Sequence, residues 1–316
     1  MAVEAVAHAP ARTRVVAGGP LALVLGAGVL LAAATRLPGQ AGITATRAAL
    51  AFVALVAESL PFLLAGAVIA SLIGTRWLPA LAARHPRAAV ALAPLAGTAL
   101  PLCDCGLVPI ARRLGSRGVA GAAINGFVAG APLTNPIVIL STLVAFPGSP
   151  EIVAGRVGIG VAVAALAAGL APPPACEADP HNHGSRPPLL QTVGEELVRM
   201  GPPLILAALA AGLLTAVLPE SVLATADRQP LLAAAGMMLL AFVLSLCSQA
   251  DAFVAASLPV GTLPRLAFLL VGPMLNLRLA TLYRREFGGR WLAGYAAVVV
   301  PAILVLATLW VTWGPV

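Results

Sequence analysis

Residues 100–109 read Leu-Pro-Leu-Cys-Asp-Cys-Gly-Leu-Val-Pro, with two thiols and a carboxylate inside three positions of an otherwise apolar stretch. In hydrocarbon an ionisable side chain is costly and is kept where it lines a cavity or a pathway. Proline and glycine at that depth break a helix and bare its backbone. Thiolates prefer soft partners such as Cu(I), Zn(II) or a trivalent metalloid. The segment predicts a polytopic membrane protein whose chemistry sits at a broken helix.

The rest of the chain agrees with that class. Of its 316 residues 60% are hydrophobic and 10% charged, with a mean hydropathy of +0.97. Apolar segments run over 15–35, 48–74, 88–111, 118–146, 152–171, 200–218, 231–258, 262–283 and 291–312. Runs of about 18 residues or more read as bilayer spans. All 19 basic residues are arginine, and the net charge is +7. The arginines are scattered through short loops between spans, as the positive-inside rule expects. A lipid bilayer is therefore the expected partner, and nucleic acid is not. Arg12 and Arg14 precede the first apolar run, and no strong small-x-small cleavage site follows it. That run predicts an uncleaved signal-anchor span.

The halves look alike. Pro61-Phe-Leu-Leu-Ala-Gly matches Pro203-Leu-Ile-Leu-Ala-Ala, Leu100-Pro-Leu-Cys103 matches Leu244-Ser-Leu-Cys247, and Pro132-Leu-Thr-Asn135 matches Pro273-Met-Leu-Asn276. The landmarks keep their order and nearly their gaps, 42 and 32 residues in the first half against 44 and 29 in the second. This predicts an internal duplication. The expected organisation is a tail and extra span over 1–42, a first transmembrane repeat over 43–171, a Pro/His linker over 172–188 and a second repeat over 189–316.

Arginine placement then sets the topology. Arg76, Arg84 and Arg87 precede the Cys-Asp-Cys segment, and Arg112, Arg113 and Arg117 follow it. Both flanks are expected inside, so the segment re-enters and turns back at 101–106. The Cys247 segment re-enters from outside by the same test. Three spans and one re-entrant hairpin per half give inverted topology, the construction of many secondary transporters. The fold class expected is an all-α integral membrane protein, an inverted repeat with two re-entrant or broken-helix hairpins and an extra N-terminal span. Its N-terminus and linker lie inside and its C-terminus outside. Nine full spans are the alternative topology.

Inverted hairpins would bring Cys103, Asp104, Cys105 and Gly106 toward Cys247 near the midplane. Two or three sulfurs there suit Cu(I), Zn(II) or trivalent arsenic; the bland alternative is buried structural cysteine. Asn135 and Asn276 stand at helix breaks, where they line a site, cap the broken helix, or both. Glu58 and Asp104 are the proton-coupling candidates. Asp251 is expected near the outer mouth, and Arg278 to pair with an acid or hold a helix end. Cys176, His181 and His183 in the linker form a weak metal-binding alternative to a solvated loop. No phosphate-binding glycine loop with lysine, nucleophile elbow or zinc-protease helix occurs. No catalytic residue or cofactor is expected.

Cys-x-Cys-Gly-x-x-Pro at 103–109, followed by Gly-Ala-Pro-Leu-Thr-Asn-Pro at 130–136, resembles the predicted permease family that includes YraQ and the ArsP-type organoarsenical efflux permeases. The resemblance covers roughly 58–142 with specific motifs and the second half more loosely. It implies a multi-pass permease of the bacterial inner membrane and, in the ArsP branch, efflux of trivalent organoarsenicals through membrane cysteines. By position Cys103 and Cys105 match that family's cysteine pair, and Pro132, Asn135 and Pro136 its second motif. The chain departs from it with Asp104 where serine is usual, and with one cysteine, Cys247, in the second half. The function expected is a permease for a soft metal, metalloid or thiol-reactive solute, in the efflux direction. A transmembrane thiol-disulfide oxidoreductase using Cys103 and Cys247, and a subunit of a metal-transport complex, are the competing readings. Homo-oligomeric assembly stays open.

Overall fold

The computed structural model describes residues 84–98, 104–174 and 229–313, with the side chains of 104 and 105 left aside. The extra N-terminal span, Glu58, Cys103 and the linker residues Cys176, His181 and His183 lie outside the described residues. Every regular element among those described is a helix. In order they are α1 (Pro86–Leu92), a 3₁₀ segment (Ala93–Thr98), α2 (Asp104–Ser116), α3 (Gly121–Thr134), α4 (Pro136–Ala145), α5 (Pro150–Leu170), α6 (Pro230–Leu244), α7 (Ser248–Ser257), α8 (Thr262–Met274), α9 (Leu277–Phe287) and α10 (Gly289–Trp313). Proline opens α1, α4, α5 and α6, where a missing N–H costs no helical bond.

Three helical stretches are long and apolar enough to cross a membrane: Pro150–Leu170, Thr262–Phe287 and Gly289–Trp313. A fourth is the pair α3–α4, bent by 41° at its break. The protein is an all-α integral membrane protein. Thr262–Phe287 is central, with 89% of its apolar window buried, whereas Gly289–Trp313 is peripheral at 22%. The exposed leucines and valines of α10 and α4 fit a lipid-facing surface.

The expected breaks are present. Pro136 pushes the preceding residue out of helical space, and Asn135 is extended at φ −64°, ψ 126°. Pro132 lies inside α3 and Pro273 inside α8, each removing one ladder donor. The apolar stretch 231–258 divides into α6 and α7 around residues 245–247, and 262–283 divides into α8 and α9 around Asn276.

The second half repeats the order of the first: two arms either side of a cysteine stretch, an Asn-capped broken helix, then a long apolar helix. The 3₁₀ segment and α2 both lie on α3, and α6 and α7 both lie on α8. Gly130 of α3 allows the first contact, since a Cβ there would come within 2.5 Å of the Pro94 backbone. The halves then exchange partners: α2 packs on α9, and α7 packs on α4. Each helix that follows a cysteine stretch thus rests on the helix that follows the other half's asparagine.

The start of the linker is tied down. Asn125 donates from Nδ2 to the carbonyls of Ala171 and Pro172, both at 3.1 Å. Its Oδ1 accepts from Trp291 Nε1 at 3.0 Å. Pro172 lies over Gly294 and Pro173 over Gly121, close enough that a Cβ would meet them at 2.6 and 2.7 Å. Trp291 also stacks on Tyr295, with Tyr283 and Phe287 packed edge-on against it.

Candidate functional site

The described site is built from three helix breaks and one buried arginine. At the first, Asn135 Oδ1 accepts from Ile137 N at 2.9 Å and caps α4. At the second, Asn276 Oδ1 accepts from Leu279 N at 2.8 Å, while Nδ2 donates to the Gly272 carbonyl at 2.7 Å. Both asparagines are fully buried. Each therefore performs the capping role that short polar side chains favour at helix starts.

The third break holds Cys247. Ser245 ends α6 in the left-handed region at φ 50°, ψ 38°, the one non-glycine residue with positive φ among those described. Such a residue costs roughly 1–2 kcal/mol. Its hydroxyl donates to Phe242 O at 3.0 Å and accepts from Arg278 N at 3.4 Å, so the Cys247 break is tied to the start of α9. Arg278 was expected to hold a helix end or meet an acid; its backbone makes this tie. Cys247 is the N-cap of α7, 5% exposed, with Sγ donating to Gln249 Oε1 at 3.3 Å.

Residues 104–105 open α2, Gly106 is buried, and residues 107–111 belong to the core. At the far end of α2, Arg112 Nε lies 3.4 Å from Glu286 Oε2 of α9. No group of three His, Cys, Asp or Glu side chains converges among the described residues.

Two buried charged residues stand out. Asp251 is wholly buried. The first turn of α7 lies between α4 and α8, which removes the carboxyl from solvent. Arg156 is the residue that sequence reasoning missed. It lies on α5, 1% exposed, and donates from Nη1 to Thr142 Oγ1 at 2.6 Å and from Nη2 to the Ser248 carbonyl at 2.8 Å. Thr142 in turn donates to Val138 O at 2.7 Å. One guanidinium thus joins α4 and α5 of the first half to α7 of the second, on the residue that follows Cys247. Its charge is permanent and its donors form a rigid fork, which suits it to hold two acceptors on different helices. The usable sequence signal was an arginine inside an apolar run, which is rare unless it faces a protein interior or cavity.

The sequence pattern of ArsP_1, described as a predicted permease, matches residues 43–171 and 185–311. A Streptococcus mutans protein provisionally named a two-component membrane permease complex subunit is 31% identical over 260 residues, covering 75% of this chain and 85% of the relative. The Bacillus subtilis UPF0718 protein YcgR is 30% identical over 279 residues, covering 79% of this chain and 93% of the relative. No solved structure matches the chain. With both halves matched and the apolar helices in place, the chain belongs to the ArsP_1 predicted permease family and is a multi-pass membrane permease of bacteria.

Proposed function

We propose that this permease is a secondary transporter that moves a soft metal ion, metalloid or thiol-reactive solute outward, through a site shared by its two halves. Cys103, Asp104, Cys105 and Cys247 supply the soft and hard ligands. Gly106 and the breaks capped by Asn135 and Asn276 supply close backbone approach. The halves, 43–171 and 189–316, are read as an inverted duplication joined by the linker 172–188. The observation that carries the reading is Cys247 itself: a buried thiol at a break between two helices, on a helix resting against the other half. Irregular backbone at membrane depth is tolerated where it is buried in protein or lines a cavity, and broken helices are where transporters place ions and substrates.

The test is a resistance and vesicle-transport screen with arsenite, phenylarsine oxide, zinc and copper. Cys103→Ser, Cys105→Ser and Cys247→Ser should each abolish movement of the transported species while membrane abundance stays at the wild-type level. Wild-type transport in all three variants would remove the thiol site.

A second reading has one specific support, the provisional name of the Streptococcus relative as one subunit of a two-component permease complex. In that reading the chain moves its solute only with a partner membrane subunit. Transport by the purified chain alone in liposomes would exclude it.

A further inference from the structure

We propose that two contacts between the halves, the Arg112–Glu286 ion pair at one end of the helix assembly and the Arg265–Phe146 contact at the other, are gates that open in turn, an inference that rests on the secondary-transport reading above.

The helices define the two ends. α10 runs alongside α5 in the opposite sense. Gly294, near the start of α10, lies against Pro172, just past the end of α5, and Trp310, near the finish of α10, lies against Gly155, near the start of α5. Trp291, also near the start of α10, meets Asn125 near the start of α3. The first end thus gathers the start of α3, the end of α5 and the start of α10. α9 finishes there too, since only Gly288 separates it from α10. So does α2, whose Arg112 Nε lies 3.4 Å from Glu286 Oε2, in the last turn of α9. The second end gathers the start of α5, the finish of α10 and, through Leu266 beside Gly155, the start of α8. Arg265, in the first turn of α8, holds its guanidinium 6.0 Å from the ring centroid of Phe146, the residue that ends α4. The same guanidinium donates from Nη2 at 3.0 Å to the carbonyl of Leu258, the residue that ends α7.

Each contact joins the two matched halves, 43–171 and 185–311. Arg112 and Phe146 belong to the first, Glu286 and Arg265 to the second. Each also closes one helix pair at its tip: α2 packs on α9, and α4 packs on α7. Three of these helices lead away from breaks, α4 from Asn135, α7 from Cys247 and α9 from Asn276. Parting α2 from α9 opens the breaks toward the first end and leaves the other tip shut. Parting α4 from α7 does the reverse. Rocking of one half against the other produces this alternation. The contacts suit gates because both are of modest strength. Arg112 is 27% exposed, so water screens its pairing with Glu286. A guanidinium beside an aromatic ring is a weak attraction at a wet site. Arg113, Arg117, Arg284, Arg285 and Arg290 also lie at the first end, which the positive-inside rule makes the cytoplasmic one. Arg112–Glu286 is therefore the inner gate and Arg265–Phe146 the outer.

Cys247 is a native reporter between them. α7 runs from it to the outer contact, and Ser245 beside it is tied to the start of α9, which runs to the inner one. The full-length chain, in membrane vesicles of both orientations, is treated with a membrane-impermeant maleimide, and the peptide carrying Cys247 is quantified by mass spectrometry. Glu286→Gln should raise labelling from the cytoplasmic side about fivefold, the effect of about 1 kcal/mol on a two-state population, and leave labelling from the other side unchanged. Phe146→Ala should do the opposite. A rise from the wrong side, from both sides equally or from neither would overturn the proposal. Arg112→Glu combined with Glu286→Arg should bring cytoplasmic-side labelling back toward wild type from the level of either single change. A double variant that stays at the single-variant level would overturn the inner gate. Should Glu286→Gln fail to reach the membrane, Arg112→Gln is read in the same way. The labelling needs no solute. A wild type that moves no arsenite in liposomes therefore counts against the solute assignment and leaves the labelling to decide on the gates.

Discussion

The two broken spans share a plan and differ in what surrounds them. In α3–α4 the helix after the break faces outward: Leu140 and Val144 are each 61% exposed, and only Val138 and Thr142 of α4 are buried. In α8–α9 the corresponding helix is enclosed, with Leu279, Leu282, Tyr283 and Phe287 all buried. Four aromatic residues at four-residue spacing, Tyr283, Phe287, Trp291 and Tyr295, pack it against α10. α4 instead meets its neighbours through few buried side chains and the Arg156–Thr142 bond. The helices that follow the two asparagine breaks thus have unequal anchoring. The first-half helix is suited to shift, and the second-half helix to serve as the frame.

The largest effect should come from attacking the frame. Trp291→Ala removes a buried ring from the aromatic cluster and the donor to Asn125, and should cost about 3–5 kcal/mol. Thermal unfolding in detergent measures it; a loss below about 1 kcal/mol would end the idea that α9 is the anchored side. Arg156→Met comes next. It removes two hydrogen bonds from a charged donor, each worth about 1.5–3 kcal/mol. Amide exchange should quicken in α4 and at the start of α7, and stay unchanged in α9. Equal quickening of α4 and α9 would show that Arg156 holds the whole body and not one side of it. The smallest effect belongs to Leu140→Ala, which trims a lipid-facing side chain and should change stability by less than about 0.5 kcal/mol. A larger loss would mean that α4 is covered by protein.

Much of this architecture was legible in the chain. Apolar length gave the helices, and Asn135-Pro136 gave a break because proline removes a donor and restricts the residue before it, whereas the helices continue through Pro132 and Pro273. The break at Cys247 was legible only through its match to Cys103, since no proline marks it; it is made by a left-handed Ser245. Arg156 was missed because a long side chain in an apolar helix can carry its charge to the interface, and only the three-dimensional position of Thr142 and Ser248 shows that it stays inside. The burial of Asp251 was not legible, because loop charge fixes where a segment begins but not how neighbouring helices close over it. The spacing of the four aromatics was open to view, yet its meaning needed α9 and α10 to lie against one another across Gly288.

The latch at Asn125 has a use in protein engineering. Because the chain is fastened at Ala171 and Pro172 before it enters the linker, cargo placed at position 180 would hang from a fixed post. Lengthening a loop costs only about 0.6 kcal/mol for each doubling. A fluorescent reporter or purification handle at that position would load the tether and leave the Asn125–Trp291 seam untouched.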